Sequence, residues 1–363
     1  MKNTFGTSVA VTLFGESHGN GIGAVLDGMA PGVAVDEAFI ARQLDLRRPY
    51  GKISTARQEP DRFEIVSGVF EGKTTGTPIC ILIPNTDTKS RDYAATRALA
   101  RPGHADYTAN VKYHGFEDYR GGGHFSGRVT AGLVAVGAIA VAALRGRDIR
   151  IGTHIARCGG VADRAFQALD TDIAAVNDKL FAVLDDVKGA EMQRVIEAAA
   201  AEGDSVGGVL ETAVTGLPAG VGEPWFDTLE GLLAHGLFSI PAVKGVEFGL
   251  GFGGADRRGS EYNDPFYTEN GQIKTRTNHN GGINGGVSNG MPLLFRCAVK
   301  PTPSIFKEQE TVDFLKKEDT VLQLKGRHDP AIVHRARVVV DSVTALTLCD
   351  ALAQRYGTDW IAQ

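Results

Sequence analysis

The chain has 363 residues, of which 43% are hydrophobic and 22% are charged, and its formal net charge is −5 at pH 7. This length and composition allow one large core or two and exclude a disordered chain. The negative net charge argues against a nucleic-acid-binding protein, so we expect no nucleic-acid partner. The first four residues carry no secretory or transit signal, and we therefore expect a cytoplasmic location.

Four cysteines lie far apart in apolar segments, at Cys80, Cys158, Cys297 and Cys349. None of them forms a C-x-x-C pair, which argues against a zinc site. We therefore predict buried free thiols, with no disulfide and no bound metal.

The first element is a strand in which Val9, Val11 and Leu13 alternate with smaller or polar residues. It leads into residues 15–19, Gly-Glu-Ser-His-Gly, which match the G-x-S-x-G turn around the nucleophile of α/β-hydrolases. That turn should open a helix, whereas residues 20–28 have the pattern of a second strand. It also occurs so early that only one strand can precede it. We therefore consider a serine hydrolase and disfavour it.

Asp36 is placed to cap a helix that Pro49 ends. The loop over residues 47–57 contains glycine and several cations, a composition that suits an anionic ligand or a lid. Two strands are predicted after this loop, at residues 63–69 and 78–84.

The stretch from Arg101 to Leu144 joins a polar loop to a long apolar segment. Three consecutive glycines, residues 121–123, allow the backbone to approach a ligand closely. Ser126 and Arg128 follow, where a new helix exposes free N–H groups that favour a phosphate. Residues 129–144 are uncharged and apolar on every face, so we predict a buried helix, too short to span a membrane. We expect no membrane partner, and such all-round apolarity also favours subunit contacts. On local pattern alone, a flexible surface turn before an ordinary core helix is the alternative.

The following part of the chain alternates between strand and helix patterns. Residues 149–155 have strand periodicity, and residues 172–202 have a helical pattern that is interrupted near Gly189. Residues 208–216 again have the periodicity of a strand.

An internal similarity links the two halves of the chain. Residues 24–32, followed by a helix, resemble residues 213–220, which are also followed by a helical pattern. We therefore predict one domain with an internal pseudo-repeat, about residues 1–150 and 205–363.

Two glycine-rich segments and one strand come next. Residues 249–254 match G-x-G-x-x-G, but no apolar helix follows, so we interpret the match as fortuitous. The glycine and asparagine run over residues 277–290 predicts an irregular loop. A strand over residues 293–299 leads to Lys300–Ser304, whose cation, hydroxyls and prolines suit a phosphate clamp or an ordinary proline-rich turn.

Asp329, followed by Pro330, is placed to cap a last apolar helix that ends near Gly357. Several of these loops, taken together, resemble the chorismate synthase family across nearly the whole chain. The resemblance lies in nine segments that follow the family's order: residues 15–19, 47–49, 68–78, 101–108, 118–123, 242–247, 281–286, 300–302 and 326–330.

This resemblance implies an α+β fold, a β-α-β sandwich of antiparallel sheets covered by helices, assembled as a homotetramer. It implies the anti-1,4-elimination of phosphate from 5-enolpyruvylshikimate 3-phosphate, with loss of a ring hydrogen, to give chorismate. It also implies reduced FMN as a cofactor, although the reaction has no net redox change. NADPH is a candidate source of the reducing electrons. Because no segment resembles a reductase domain, we expect the flavin to be reduced elsewhere.

The resemblance also assigns catalytic roles to five residues. His18 matches the histidine that protonates the departing phosphate, and His104 matches the histidine near the reduced flavin. Asp329 matches the aspartate that removes the ring proton together with the flavin. Ser17 and Ser126 match the hydroxyls that support them. A histidine is a suitable acid at neutral pH because its ordinary pKa is near 6.5.

Binding residues are implied in the same way. Those for the substrate are arginines, which keep their charge beside several anionic groups: Arg47, Arg48, Arg101, Arg128 and Arg327. Those for the flavin are His124, Phe125, Ser126, Ala242, Gly285, Lys300, Pro301, Thr302, Pro303, Ser304 and Arg327.

The chain departs from the family pattern at two places. His124 and Phe125 stand where most members have arginine and serine, and Pro241 stands where many have asparagine. Ser126 and Arg128 match the pattern. A non-catalytic homologue that binds the same anions is the second interpretation, and the hydrolase is the third.

Overall fold

The computed structural model describes residues 2–55, 59–86, 97–324, 326 and 328–362. The first half of the chain forms β1 (Thr4–Phe5), β2 (Ala10–Gly15), β3 (Gly21–Asp27), α1 (Glu37–Arg47), β4 (Glu64–Ser67), β5 (Val69–Phe70), β6 (Lys73–Thr74), β7 (Ile79–Pro84), α2 (Asp106–Tyr113) and α3 (Thr130–Arg145). The second half forms β8 (Arg150–Cys158), β9 (Val161–Ala162), α4 (Leu169–Asn177), α5 (Asp186–Ala201), β10 (Gly208–Thr215), α6 (Leu229–Phe238), β11 (Val243–Phe248), α7 (Gly259–Tyr262), β12 (Phe266–Glu269), β13 (Gln272–Thr275), β14 (Ile283–Asn284), β15 (Val287–Ser288), β16 (Leu293–Val299), β17 (Gln309–Asp313), β18 (Glu318–Leu322) and α8 (Val333–Tyr356).

Two antiparallel sheets of five strands each form the framework. The first has the strand order β1-β2-β3-β7-β4, and the second has the order β11-β16-β10-β8-β9. The remaining strands pair as hairpins, β5 with β6, β12 with β13, β14 with β15 and β17 with β18.

Helices α3 and α8 lie between the two sheets. They pack against each other, α3 also packs on β3 and β7 of the first sheet, and α8 packs on β8 and β10 of the second. Close approach depends on glycines in α3. A Cβ at Gly132 would lie 2.7 Å from the Gly23 carbonyl carbon, and one at Gly137 would lie 2.3 Å from Ser342 Cβ. These layers confirm the α+β sandwich.

The apolar surface of α3 is buried within one chain. Fourteen of its sixteen residues are buried. The two sheets and α8 therefore explain why the helix is apolar all round, and the argument from this pattern to subunit contacts is wrong. By length and composition, the segment Gly127–Arg145 could cross a membrane, but 83% of an 18-residue stretch within it is buried inside the protein. A core helix gives the same result.

Residues 15–19 connect two antiparallel strands. β2 pairs with β3 from Ala10 opposite Asp27 to Gly15 opposite Ile22. A nucleophile elbow would pass from strand to helix instead, so this geometry excludes the serine hydrolase.

The helical stretch over residues 172–202 is interrupted at a different place from the one predicted. Asp185 caps α5 by accepting from the N–H groups of Val187 and Lys188, and Gly189 lies inside that helix. A Cβ at Gly189 would lie 2.6 Å from Val183 Cγ2. The glycine therefore serves close packing, and the break lies between α4 and α5.

The two ends of the chain meet through α8. The buried Asp350 carboxylate accepts hydrogen bonds from the backbone N–H groups of Thr7, Ser8 and Val9. The first residues of α8 contradict the predicted cap, because the N-terminal flanking residue is Ile332 and not Asp329. Asp329 instead bonds to Thr55 and Arg335.

The four cysteines are free thiols among the described residues. Three are buried and Cys80 is half-buried, and burial raises the pKa values of Cys158, Cys297 and Cys349 to about 12. No group of metal-binding side chains occurs in the described part of the chain.

Candidate active site

A cavity of about 1330 Å³ collects loops from distant parts of the chain. Its lining contains eight lysines or arginines against three carboxylates, counted over the described residues: Lys2, Arg47, Arg97, Arg101, Arg128, Lys244, Lys300 and Arg335 against Glu59, Asp61 and Asp329. Its apolar wall includes Leu13, Leu133, Ile240, Val339 and Val343. The cavity therefore suits anionic ligands that also carry an apolar part.

The triple-glycine loop lies against two of the predicted catalytic histidines. All three glycines have positive φ, which favours glycine. A Cβ at Gly121 would lie 2.3 Å from both Nδ1 and Cε1 of His18, and one at Gly122 would lie 3.0 Å from Cε1 of His104. The glycines therefore let the backbone pass close to both histidine rings. The sequence had predicted only a close approach to a ligand.

Hydrogen bonds attach this loop to the end of β2. The Ser17 N–H donates to the Gly123 carbonyl at 3.1 Å. His124 Nδ1 lies 2.7 Å from the Gly15 carbonyl oxygen. A carbonyl only accepts, so the proton is on Nδ1 of His124. The loop and the segment that carries His18 are therefore held as one unit.

Ser126 and Arg128 form the first turn before α3. The Ser126 hydroxyl accepts from the Arg128 N–H at 3.2 Å and caps the short 3-10 helix Gly127–Val129. This capping uses one of the free N–H groups that the sequence pattern assigned to a phosphate.

Asp61 pairs with two of the predicted substrate arginines. Its carboxylate contacts the guanidinium groups of both Arg47 and Arg128, and all three side chains are buried. Arg47 also donates to the Thr130 hydroxyl at 2.9 Å and to the Gly127 carbonyl at 2.8 Å. Burial, acting against the attraction of Asp61, lowers the pKa of Arg47 to about 9. It remains a cation at neutral pH.

A half-buried carboxylate, Asp106, organises the loop from Arg101 to His104. It accepts from Arg101 Nε at 2.8 Å and from Nη2 at 2.7 Å. His104 Nδ1 lies 3.1 Å from the same carboxylate. Burial alone would raise the pKa of Asp106, but hydrogen bonds from Arg101 and His104 hold that pKa well below its ordinary value.

This loop packs against the segment from Lys300 to Ser304. Lys300 Nζ donates to the Gly103 carbonyl, and Arg101 Nη1 lies 3.4 Å from the Ser304 hydroxyl. The Lys300 N–H donates to the carbonyl of Ala242 at 2.9 Å. Ala242 itself has a φ of 75°, which is strained for a residue with a Cβ.

Asp329 enters the cavity from the loop before α8. Its carboxylate accepts from the Thr55 N–H at 2.9 Å and pairs with Arg335. Next to it, burial lowers the pKa of His328, and the Arg101 charge lowers it further, so this ring is neutral at pH 7.

Most of the predicted site residues line this one cavity. Those that do are His18, Arg47, Arg101, His104, His124, Phe125, Ser126, Arg128, Ala242, Lys300, Thr302, Pro303, Ser304 and Asp329. Ser17 is fully buried behind it. Arg48 pairs with Asp45 on the surface of α1, and Gly285 and Pro301 are also absent from the lining. Arg327 lies outside the described residues.

Sequence reasoning missed the partners of these residues: Thr55, Asp61, Asp106 and Arg335. A signal was available for Asp106, which follows His104 by two residues within a predicted loop. No local pattern indicated Asp61, because it pairs with residues 14 and 67 positions away.

Comparison with known proteins agrees with this geometry. The family model described as chorismate synthase matches residues 9–353. A chorismate synthase from Pyrococcus abyssi is 46% identical over 350 residues, covering 96% of this chain and 97% of the relative. One from Dehalococcoides mccartyi is 47% identical over 358 residues, covering 98% of each.

A crystal structure of a chorismate synthase superposes with a TM-score of 0.77 at 30% sequence identity, covering 97% of this chain and 94% of the other. The agreement therefore extends over nearly the whole length in sequence and in fold. The chain belongs to the chorismate synthase family, the lyases that form chorismate in the shikimate pathway.

Proposed function

We propose that the cavity binds 5-enolpyruvylshikimate 3-phosphate and reduced FMN together. Pockets for one small molecule usually measure roughly 300–1,000 Å³, and this cavity is larger, at about 1330 Å³. Both ligands carry phosphate, and the substrate also carries carboxylates. The excess of cations in the lining offsets these charges.

The residues present fit a flavin. A flat aromatic ring system requires an apolar wall, which Leu133, Ile240 and Val339 provide beside Ala242. The polar contacts proposed for FMN come from the other lining residues in the predicted set: His124, Phe125, Ser126, Lys300, Thr302, Pro303 and Ser304. When bound, reduced FMN would supply the electron-rich group that assists the elimination without net redox change.

Arginines are proposed to hold the anionic groups of the substrate. Arg101 lines the cavity and is fixed by Asp106 in a two-point pair. Arg47 and Arg128 share one carboxylate, Asp61, so this trio keeps one net positive charge. Because Arg47 already donates most of its N–H groups to the protein, its contribution is mainly a fixed charge.

In the proposed elimination, the carbon–oxygen bond to phosphate breaks and the electron pair leaves with the phosphate. His18 would supply the proton that this oxygen accepts, and Asp329 would take the proton lost from the ring carbon. A carbon–carbon double bond forms, giving chorismate and phosphate. The Thr55 N–H and Arg335 hold the Asp329 carboxylate in place.

The observation that carries this proposal is the meeting of His18, His104, Ser126, Arg101 and Asp329 in one cavity. The test is chorismate formation, followed by absorbance under anaerobic conditions, with and without reduced FMN. Turnover only with reduced FMN is the expected result. Ligand binding without any turnover would instead support the non-catalytic homologue.

Asp329→Asn separates a proton acceptor from a structural carboxylate. Asparagine keeps the size and one acceptor oxygen but cannot take up a proton as a carboxylate does. We expect both ligands to bind and turnover to fall by at least roughly 10²-fold. The control is Asp45→Asn, which alters a surface pair with Arg48 outside the cavity. Near-full activity of Asp329→Asn would make His328 the candidate base.

Ligand binding is proposed to be coupled. The cations converge from separate loops, so closing them over both anions should be more favourable than over one. Calorimetry should show tighter FMN binding in the presence of substrate. Equal affinities with and without substrate would contradict the coupling.

We also propose a cytoplasmic homotetramer that receives its flavin already reduced. Large exposed aromatic side chains support subunit contacts, since Trp225, Phe226 and Phe252 are 85%, 95% and 84% exposed. Sedimentation should give a tetramer at micromolar concentration, and a monomer would refute it. NADPH with oxidised FMN should give no turnover unless a separate flavin reductase is added.

We propose that residues of about 1–150 and 205–363 form a pseudo-repeat, because the turns after β3 and β10 have matching geometry. Gly28 after β3 and Gly216 after β10 have φ values of 82° and 81°. A Cβ at either would lie about 2 Å from a carbonyl just before the neighbouring strand, 1.8 Å from Ser8 O and 2.2 Å from Asp148 O. Gly28→Ala and Gly216→Ala should therefore destabilise the protein similarly, by about 1–3 kcal/mol in urea unfolding.

A further inference from the structure

Asp106 joins a predicted catalytic histidine to a predicted substrate arginine. It is the first residue of α2, and its side chain is 16% exposed, compared with 14% for Arg101 and 18% for His104. One carboxylate oxygen accepts from the backbone N–H and Nε of Arg101, at 3.0 and 2.8 Å. The other accepts from Arg101 Nη2 at 2.7 Å and lies 3.1 Å from His104 Nδ1.

The position of the proton on His104 follows from these contacts. Nδ1 lies 2.9 Å from Arg101 Nη2, which can only donate, and 3.1 Å from a carboxylate oxygen, which can only accept. Arg101 Nη2 makes its shorter contact to that same oxygen. A bare Nδ1 lone pair beside the carboxylate would be repelled, whereas an Nδ1–H makes a charge-assisted hydrogen bond. Arg101 and His104 together keep the pKa of Asp106 low, so the acceptor stays ionised.

His104 lines the cavity, and the opposite edge of its ring lies beside the backbone of Gly122. A Cβ at Gly122 would lie 3.0 Å from Cε1 and 3.2 Å from Nε2 of His104. The hydrogen bonds found between this ring and the described residues all involve Nδ1. A histidine with one nitrogen fixed by a carboxylate exchanges protons through the other nitrogen.

We propose that Asp106 is a positioning residue for His104: it holds the proton on Nδ1 and thereby presents Nε2 to the bound ligands. Asp106 does not touch the ligands in this arrangement. It acts through the tautomer and orientation of His104, and the same carboxylate fixes the Arg101 guanidinium. The expected effect on turnover rests on the proposed function of His104. The expected position of the proton on Nδ1 is independent of that function.

The direct test is solid-state ¹⁵N NMR of the full-length protein with labelled histidine, where His104→Gln identifies the His104 signals. The wild type is expected to carry the proton on Nδ1. In Asp106→Asn the amide can donate to Nδ1, so the proton should move to Nε2. An unprotonated Nδ1 in the wild type, accepting from Arg101, would overturn the proposal even if Asp106→Asn failed to fold.

Kinetic measurements then show whether Asp106 positions His104 for catalysis or only stabilises the structure. For Asp106→Asn we expect kcat to fall by roughly 10–100-fold, as for other residues that orient a functional histidine, with the FMN Kd within about 3-fold of the wild type. KM should rise as well, because asparagine keeps only one acceptor oxygen for Arg101. The control is Asp172→Asn, since Asp172 also binds an arginine, Arg164, through two oxygens but contacts no histidine. It should leave kcat unchanged.

The outcomes distinguish two claims, that Asp106 positions the proton of His104 and that His104 acts in catalysis. A moved proton with reduced kcat supports both the positioning and the role of His104. A moved proton with full kcat supports the positioning and contradicts the role proposed for His104. An unmoved proton overturns the positioning, whatever the kcat.

Discussion

Two histidines in this protein each bond to an aspartate through Nδ1, but their surroundings differ. His104 lies 3.1 Å from Asp106 at the edge of the cavity, where its side chain is 18% exposed. His154 in β8 lies 2.9 Å from Asp163, and its Nε2 lies 3.0 Å from Glu211, with no exposed surface on the ring. In the first pair the hydrogen bonds to described residues all involve Nδ1 of a ring that lines the cavity. In the second pair both ring nitrogens bond to carboxylates. The comparison favours a stabilising role for His154 and agrees with the catalytic role proposed for His104.

The charge of His154 follows from its two acceptors. Burial alone would lower the pKa of His154, but hydrogen bonds with Asp163 and Glu211 raise it above the ordinary value. Asp163 also accepts from the N–H groups of Leu184 and Asp185. The cation therefore joins β8 and β10 to the segment that precedes α5.

His154→Leu should produce the largest effect, because it leaves two carboxylates without their cation. Breaking one partner of a buried ion pair costs roughly 3–5 kcal/mol. Urea unfolding followed by tryptophan fluorescence should show this loss, while kcat of the protein that remains folded stays near the wild-type value. Lys274→Ala, which removes an exposed pair with Glu269, should change the unfolding free energy far less.

His104→Gln should show the reverse pattern. Turnover should fall by at least roughly 10²-fold, and the free energy of unfolding should change by less than about 1 kcal/mol because the ring is partly exposed at the cavity. Assays and urea unfolding on the same preparation measure both quantities. If His104→Gln destabilised the protein as much as His154→Leu, the distinction between the two histidines would be lost.

Gly121→Ala tests whether the cavity histidines depend on the glycine loop. The φ of 59° costs a residue with a Cβ about 1–2 kcal/mol, and the new methyl group would also displace the His18 ring, 2.3 Å away. Turnover should therefore fall together with stability. Gly160→Ala is the matched control, since Gly160 has a φ of 88° but no atom within 4 Å of the added Cβ. A normal kcat for Gly121→Ala would show that His18 tolerates the displacement.

The smallest expected effect is a pH dependence of stability caused by His154. Its folded pKa is raised, so its stabilisation is complete below the unfolded pKa of about 6.5 and is lost as the pH rises through the folded pKa. Each unit of the shift corresponds to about 1.4 kcal/mol. Unfolding free energies of the wild type and of His154→Leu, measured from pH 6 to pH 9, should converge as the pH rises. A constant difference would mean that His154 is neutral when folded.

The sequence was informative wherever one segment determined its own structure. The patterns of residues 9–13 and 20–28 predicted two successive strands, which pair as β2 and β3, and the all-round apolarity of α3 predicted its burial. The local pattern gave a wrong prediction where a residue distant in sequence binds the side chain in question. Asp329 has the sequence of a helix cap, but Thr55 and Arg335 take its carboxylate.

The sequence predicted which residues form the site better than it predicted the ion pairs and hydrogen bonds between them. The family pattern identified the arginines, but only the fold shows that Asp61 already pairs with Arg47 and Arg128. Arg48 follows Arg47 directly, yet it points to Asp45 on the surface. Adjacent residues of a helix project in different directions, so one of two neighbouring arginines reaches the cavity.

The contacts of Asp350 can form only near the end of synthesis, because they join the first residues of the chain to its last long helix. Its carboxylate binds the N–H of Thr7, 343 positions earlier in the chain. A ribosome adds roughly 5–20 residues per second, so roughly 20–70 s pass between the synthesis of these two residues. During that time the N–H groups before β2 lack their final acceptor and α8 is missing from the middle layer. The newly made α3 and second sheet therefore expose the apolar surfaces that α8 later covers to water and to other chains until translation is almost finished.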